Sequence, residues 1–281
     1  MSKTTKLLVI LLLVLFLGVF LYAGGSLLQY YLESLESQET YDSLAQIMDA
    51  GRPTQPVRPT VDPTAPSQEV TVPVSELITV TDPVTGNSQD MLPEFSQLYL
   101  LNNEIVGWIT IPDSNINYPV VQSDKDNTDY YLYRDYYGKR DSHGCLYMRE
   151  QCDALAPSDN LVIYGHRMKD HTMFGHLAKY ERQSHWQDHR YVHFSTLTER
   201  HTYEIVFVFA TSSTVGAEFP YHTYVDMKTP AQWEEFFSLC RKYSLYDTGV
   251  EPQIGGKLIT LSTCEYTQEN GRLVVVAQQI G

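Results

Sequence analysis

An unbroken apolar run from Leu7 to Tyr22 opens the chain and continues through Ala23, Gly24, Gly25 and Ser26 to Leu28. As a helix, residues 7–28 would span about 33 Å, enough for the hydrocarbon core of a bilayer. Lys3 and Lys6 precede the run, and the first charges after it are Glu33, Glu36 and Glu39. That asymmetry predicts a cytoplasmic tail (1–6), a single-pass transmembrane anchor (7–28) and an extracellular remainder. A cleaved signal peptide ending at Leu21-Tyr22-Ala23 competes with this reading, but the run is longer than the roughly 7–15 residues of a signal core. Leu27, Leu28, Tyr31, Leu32 and Leu35, then Tyr41, Leu44, Ile47 and Met48, keep helical spacing and predict a juxtamembrane helix over 29–50. Residues 51–87 read as a spacer, with Pro53, Pro56, Pro59, Pro63, Pro66 and Pro73. Proline at that density favours polyproline II, which gives Arg52–Pro73 a reach of roughly 70 Å.

The pattern changes at Ser88, where the folded domain (88–281) is predicted to begin. Met91, Leu92, Phe95, Leu98, Tyr99 and Leu101 suggest one helix. Short β-type runs follow at Val106–Ile111, Pro119–Gln122, Cys145–Met148, Asn160–Tyr164, Tyr191–Phe194, Tyr203–Thr211, Lys257–Leu261 and Leu273–Ile280. Many short strands separated by turn residues predict a mainly β sandwich or barrel. A late helix interrupts them, since Trp233, Phe236, Phe237 and Cys240 fall at i, i+3, i+4 and i+7.

Composition adds two constraints. Hydrophobic residues make up 43% of the 281, with 21 tyrosines, which suits a strand-rich core. The net charge of −14 argues against a nucleic-acid partner, which basic side chains would have to meet.

Four cysteines in a chain this long do not make a disulfide scaffold. Cys240 lies on the helical stripe and reads as a core residue, and Cys145 lies within a strand. Cys152 sits in a polar stretch, and a Cys145–Cys152 disulfide is chemically allowed outside the cell. Cys264 differs: it ends a strand beside a loop, a position where scaffolds present reactive groups. Asn270-Gly271 then marks a turn, and Arg272 opens the apolar strand that follows. The hairpin sets Cys264 opposite Arg272, where a guanidinium favours a thiolate and can donate to an oxyanion, although Arg272 reads equally as an ordinary cross-strand residue. Among nine histidines, His166 ends the strand Asn160–Tyr164 after a flexible Gly165. His185, His189 and His193 have the i, i+4, i+8 spacing of helical metal ligands, but Tyr191–Phe194 reads as extended, so no metal site is expected there. Asp124–Asp129 faintly matches an EF-hand loop but has Asp129 where that loop needs glycine, and it reads as a solvated acidic loop.

Three stretches, Tyr164-Gly-His166-Arg, Thr260-Leu-Ser-Thr-Cys264-Glu-Tyr and Gly271-Arg272-Leu-Val-Val, resemble in order the active-site motifs of sortases. Val106-Gly-Trp-Ile, Asn117-Tyr-Pro-Val-Val-Gln122 and Thr172-Met-Phe-Gly175 extend the likeness over roughly residues 95–281. The Thr-Leu-Ser-Thr-Cys-Glu form and the late helix resemble class B. The resemblance implies a closed β-barrel of about eight strands with peripheral helices and a cysteine transpeptidase without a cofactor. It implies Cys264 as nucleophile, His166 as general acid/base and Arg272 as the residue that positions substrate and holds the oxyanion. Ser262, Glu265 and Leu132 match positions lining the peptide groove. Implied partners are surface proteins bearing a sorting signal and an amine acceptor, a peptidoglycan precursor or, in the alternative, a pilin Lys side chain. A membrane-anchored binding module with an inert Cys264 is the third reading.

Overall fold

The computed structural model describes residues 3–53, 77–212, 214, 218–265 and 270–281. Most of the predicted spacer, Pro56 to Pro73 included, lies outside the described residues, as do residues 266–269 and the side chain of Glu265. The chain divides after Tyr41 into two units. The first holds the greater part of one helix, α1 (Lys3–Gly51), whose side chains from Leu7 to Leu28 are exposed wherever large and apolar. Among the described residues this is the one helix long and apolar enough to cross a membrane. The predicted anchor and juxtamembrane helix are thus continuous: no proline interrupts them, and the helix runs through Gly24-Gly25.

The second unit takes in the C-terminal end of α1, where Leu44 and Met48 are fully buried and Gly51 lies so close to the Glu94 backbone that a Cβ would not fit. A hairpin of β1 (Ile78–Thr81) and β2 (Ser88–Met91) comes next, in antiparallel register from Ile78↔Met91 to Thr81↔Ser88. Its first strand occupies residues assigned from the sequence to the spacer. The reversal is made by Asp82, whose carboxylate accepts the Val84 and Thr85 amides and whose carbonyl accepts from Gly86, a glycine at φ +74°. The helix expected from Met91 onward is shorter than its pattern. Met91 ends β2, Pro93–Phe95 is a 3₁₀ turn, and α2 covers only Ser96–Leu101.

Eight strands close a barrel in the order β10-β8-β7-β3-β4-β5-β6-β9. They are β3 (Ile105–Thr110), β4 (Asn117–Gln122), β5 (Leu146–Met148), β6 (Asn160–Tyr164), β7 (Tyr191–Thr196), β8 (Arg200–Ser212), β9 (Leu258–Glu265) and β10 (Gly271–Gln279). All neighbours are antiparallel except β4–β5 and β6–β9. Strand β10 runs between β8 and β9 and is buried without a break from Leu273 to Ala277, which explains its continuous apolar sequence. A short helix α3 (Gln183–Asp188) and the longer α4 (Pro230–Tyr243) lie outside the barrel strands. A capping box between Thr229 and Gln232 starts α4, with Pro230 in its first turn and Arg241 and Lys242 in its last. Its predicted stripe of Trp233, Phe236, Phe237 and Cys240 is buried, with the Phe237 ring 6.0 Å from Phe207 of β8.

Candidate active site

The β9–β10 register pairs Cys264 with Arg272. Directly opposed residues of an antiparallel pair share a face, so thiol and guanidinium rise together at the loop end of the hairpin. The Arg272 guanidinium folds over its own turn, with Nη1 donating to the carbonyls of Gly271 (2.9 Å) and Asn270 (3.3 Å). On the other side of β9 lies β6, in parallel register with Tyr164 beside Ser262. Just past that pair the Gly165 amide donates to the Ser262 carbonyl (3.2 Å), and the Thr263 hydroxyl donates to the Gly165 carbonyl (2.8 Å). These bonds bring His166 to the same barrel end as Cys264. Gly165 has no alternative here, because a Cβ would strike Leu146 and Phe174.

Cys264, His166 and Arg272 together line a cavity of about 290 Å³. His166 packs against the Tyr133 ring (centroids 5.4 Å) and hydrogen-bonds the backbone of Leu132, while its buried Nε2 has no hydrogen-bond partner among the described residues. Burial pushes His166 below the ordinary imidazole value. The bond to Leu132 opposes that shift and the nearby His143 reinforces it. The neutral ring is thereby favoured, which is the form able to take a proton.

The rest of the wall is polar and aromatic. Asp129 Oδ1 accepts from the Tyr147 hydroxyl (2.7 Å) and from Arg149 Nη2 (2.8 Å) and Nε (3.1 Å). The Arg149 guanidinium lies 4.7 Å over the Tyr164 ring, whose buried hydroxyl has no partner among the described residues. Tyr221 hydrogen-bonds the Ser262 hydroxyl at 2.6 Å. Burial, with Arg149 and Arg272 nearby, holds His222 below the ordinary imidazole value. Leu132 lines the cavity from the turn Tyr130–Tyr133, and Ser262 lines it with its hydroxyl already engaged.

The other three thiols are built differently. Cys145, Cys152 and Cys240 are buried and Cys264 is partly exposed. All four are free, so the Cys145–Cys152 disulfide that the sequence allowed is not formed. Cys152, read from sequence as part of a polar stretch, turns inward: its sulfur accepts from the Val162 amide (3.3 Å), and burial raises its pKa to about 11. Burial also holds Cys240 well above the usual thiol value.

Residues 109–280, more than half of the chain, match the family model described as Sortase domain. The chain belongs to the sortase family. It is 32% identical over 197 residues to sortase B of Listeria monocytogenes, covering 68% of this chain and 75% of that protein. It is 27% identical over 199 residues to sortase B of Staphylococcus aureus, covering 70% and 79%. The crystal structure of sortase B from B. anthracis superposes with a TM-score of 0.66 at 27% identity, covering 89% of this chain and 99% of that one. This sortase is therefore a class B transpeptidase, and its eight-stranded barrel is the fold its motifs implied.

Among the cavity-wall residues to which sequence reasoning gave no role in the site are Asp129, Tyr133, Tyr147, Arg149, Tyr164, Tyr221 and His222. Tyr147 and Tyr164 sit on predicted strands, side by side in the β5–β6 pairing, and the signal available was that each stands within two residues of a loop. Tyr221 and His222 come from a 3₁₀ turn with no periodic pattern. The histidines with metal-like spacing separate. His185 and His189 stack at 4.1 Å around α3, whereas His193 is on β7 with Nδ1 3.1 Å from the Thr202 hydroxyl. In the acidic stretch, Asp129 is drawn out of the loop to Tyr147 and Arg149.

Proposed function

We propose that this sortase cleaves the C-terminal sorting motif of secreted proteins after Thr and transfers the acyl group to a cell-wall amine. In this reading Cys264 is the nucleophile, His166 the general acid/base and Arg272 the oxyanion and positioning residue. The observation that carries it is the junction of three strands, where β9 presents Cys264 opposite Arg272 on one side and bonds the residue before His166 on the other.

His166, favoured neutral, takes the Cys264 proton as the sulfur attacks the Thr carbonyl carbon. Arg272 meets the negative charge that moves onto the carbonyl oxygen. Collapse of the tetrahedral species breaks the peptide bond, and His166 gives its proton to the leaving amine. The acceptor amine then attacks the thioester and loses a proton to His166, the new amide forms, and the thiolate departs and is reprotonated. Leu132, Ser262 and Glu265 contribute to the groove that orients the peptide. The apolar α1 holds the enzyme in the membrane with residues 1–6 cytoplasmic and the barrel outside. There the tether raises its effective concentration towards substrates that share the surface.

The full chain in detergent, incubated with a library of sorting-signal peptides, is expected to gain by mass spectrometry one acyl group on Cys264, with release of the C-terminal fragment. Adding a peptidoglycan-precursor amine should discharge it. Discharge by a Lys side chain alone would assign the pilin-joining reaction, and an unmodified Cys264 would leave the binding module. Cys264→Ala should give no acyl-enzyme, and Cys240→Ala should still acylate.

A further inference from the structure

Behind His166 lies a second histidine that the mechanism does not use. His143 is 1% exposed, and both of its ring nitrogens face carboxylates: Nδ1 is 3.2 Å from Asp141 Oδ1 and Nε2 is 3.2 Å from Asp170 Oδ2. A neutral imidazole has one N–H and can donate to only one of them. The imidazolium donates to both.

The two carboxylates belong to the two segments that flank His166. On one side, the Asp141 amide donates to the Tyr133 carbonyl (3.0 Å) and the Cys145 amide to the Tyr131 carbonyl (2.9 Å), bracketing Leu132, whose backbone bonds His166. Gly144, at φ +63°, fits there because a Cβ would strike the Leu132 and Tyr131 carbonyls. On the other side, Asp170 lies in the loop that leaves His166 and returns to it. Its Oδ1 accepts the Thr172 amide (3.0 Å) and hydroxyl (2.6 Å), and the Phe174 amide closes onto the His166 carbonyl (3.0 Å).

We propose that His143 is a positioning residue for His166, an imidazolium cross-tie that joins the turn bonding His166 to the loop that follows it. The inference rests on His166 being the general acid/base. Among the groups facing His143 are Asp141 and Ser142 from its own loop, Asp170 from the loop after β6, and His166. Beyond these, Tyr118 of β4 stands near Asp170, and Asp135 near Asp141. Burial opposes the charge on His143, but its bonds to Asp141 and Asp170 outweigh burial and raise its pKa, and that charge in turn pushes His166 down. The cross-tie is therefore intact at low pH and is lost as pH rises through the raised value of His143.

Imidazole NMR on the full chain in detergent decides it. In the parent protein His143 should titrate above His166, with both ring nitrogens protonated when His166 is already neutral. The reverse order overturns the proposal without any variant having to fold. In His143→Gln the His166 midpoint should rise, by on the order of half a pH unit, because a nearby positive charge is gone and two carboxylates remain. The acid limb of kcat/KM should move with it, and kcat should fall about tenfold at unchanged KM as the ring loses its alignment. In Asp170→Asn the midpoint should not rise. A His143→Gln variant that melts lower while His166 titrates as before, or a rise in both variants alike, would mean a merely structural histidine. An inactive parent would instead overturn the general acid/base reading, while the NMR order would still decide the cross-tie.

Discussion

The pair of strands β6 and β9 is built to two standards along its length. In its first half, polar groups are matched: the Thr260 hydroxyl donates to Asn160 Oδ1 (2.8 Å), and across the hairpin Gln278 exchanges two 2.7 Å bonds with the Gln253 backbone. In its second half, next to Cys264, the Ser262 and Thr263 hydroxyls are still engaged, but β6 ends in Tyr164, whose hydroxyl has no partner among the described residues, and leads to His166, whose Nε2 has none there either. A buried polar atom left without a partner costs roughly 1–3 kcal/mol, so the cavity end tolerates what the core end excludes. Unmet hydrogen-bonding capacity beside a thiol and a guanidinium is what a ligand bound in this cavity can meet.

Variants at either end sharpen that contrast. The largest effect is expected at the cavity end. Arg272→Lys keeps the charge but loses the planar fork, and kcat on a cognate sorting peptide should fall roughly 10²–10³-fold with the melting temperature nearly unchanged. A rise in KM alone would make Arg272 a ground-state binding residue, and near-parental kcat would remove it from the reaction. At the core end, Leu261→Ala should destabilise by about 2–5 kcal/mol, read by denaturant unfolding, while the folded fraction keeps its specific activity. Loss of specific activity at full stability there would break the division. The smallest effect belongs to the junction. Tyr221→Phe removes the bond to Ser262 and should cost about 0.5–1.5 kcal/mol, with kcat/KM changed by less than tenfold.

The β9–β10 hairpin and the late helix were legible in the sequence because their signals are local. Asn270-Gly271 marks the turn, the flanking runs are apolar, and the Cys264–Arg272 pairing follows from the hairpin alone, as does the α4 stripe from a 3.6-residue period. The β1–β2 hairpin was not legible, since Ile78-Thr-Val-Thr pairs with the polar Ser88-Gln-Asp-Met and its turn contains Pro83 within a proline-rich stretch. The wall of the cavity was hidden for a different reason. Asp129, Arg149, Tyr164 and Tyr221 come from four separate segments that only barrel closure brings together, and no spacing along the chain encodes that. His143 was equally silent, because one of its partners is two residues away and the other is on a different loop.

The parallel pairing of β6 with β9 also bears on the order of folding. The bond between Thr260 and Asn160 joins residues 100 apart in sequence, so the strands that carry His166 and Cys264 meet only after a long loop has closed. The β9–β10 hairpin, by contrast, is local and can form early. The Cys264 thiol and the Arg272 guanidinium are thus expected to come together first, and the His166 imidazole to join them only as the barrel shuts. Until then a partly folded chain carries the thiol without the imidazole, and under the proposed mechanism catalytic competence arrives together with the finished fold.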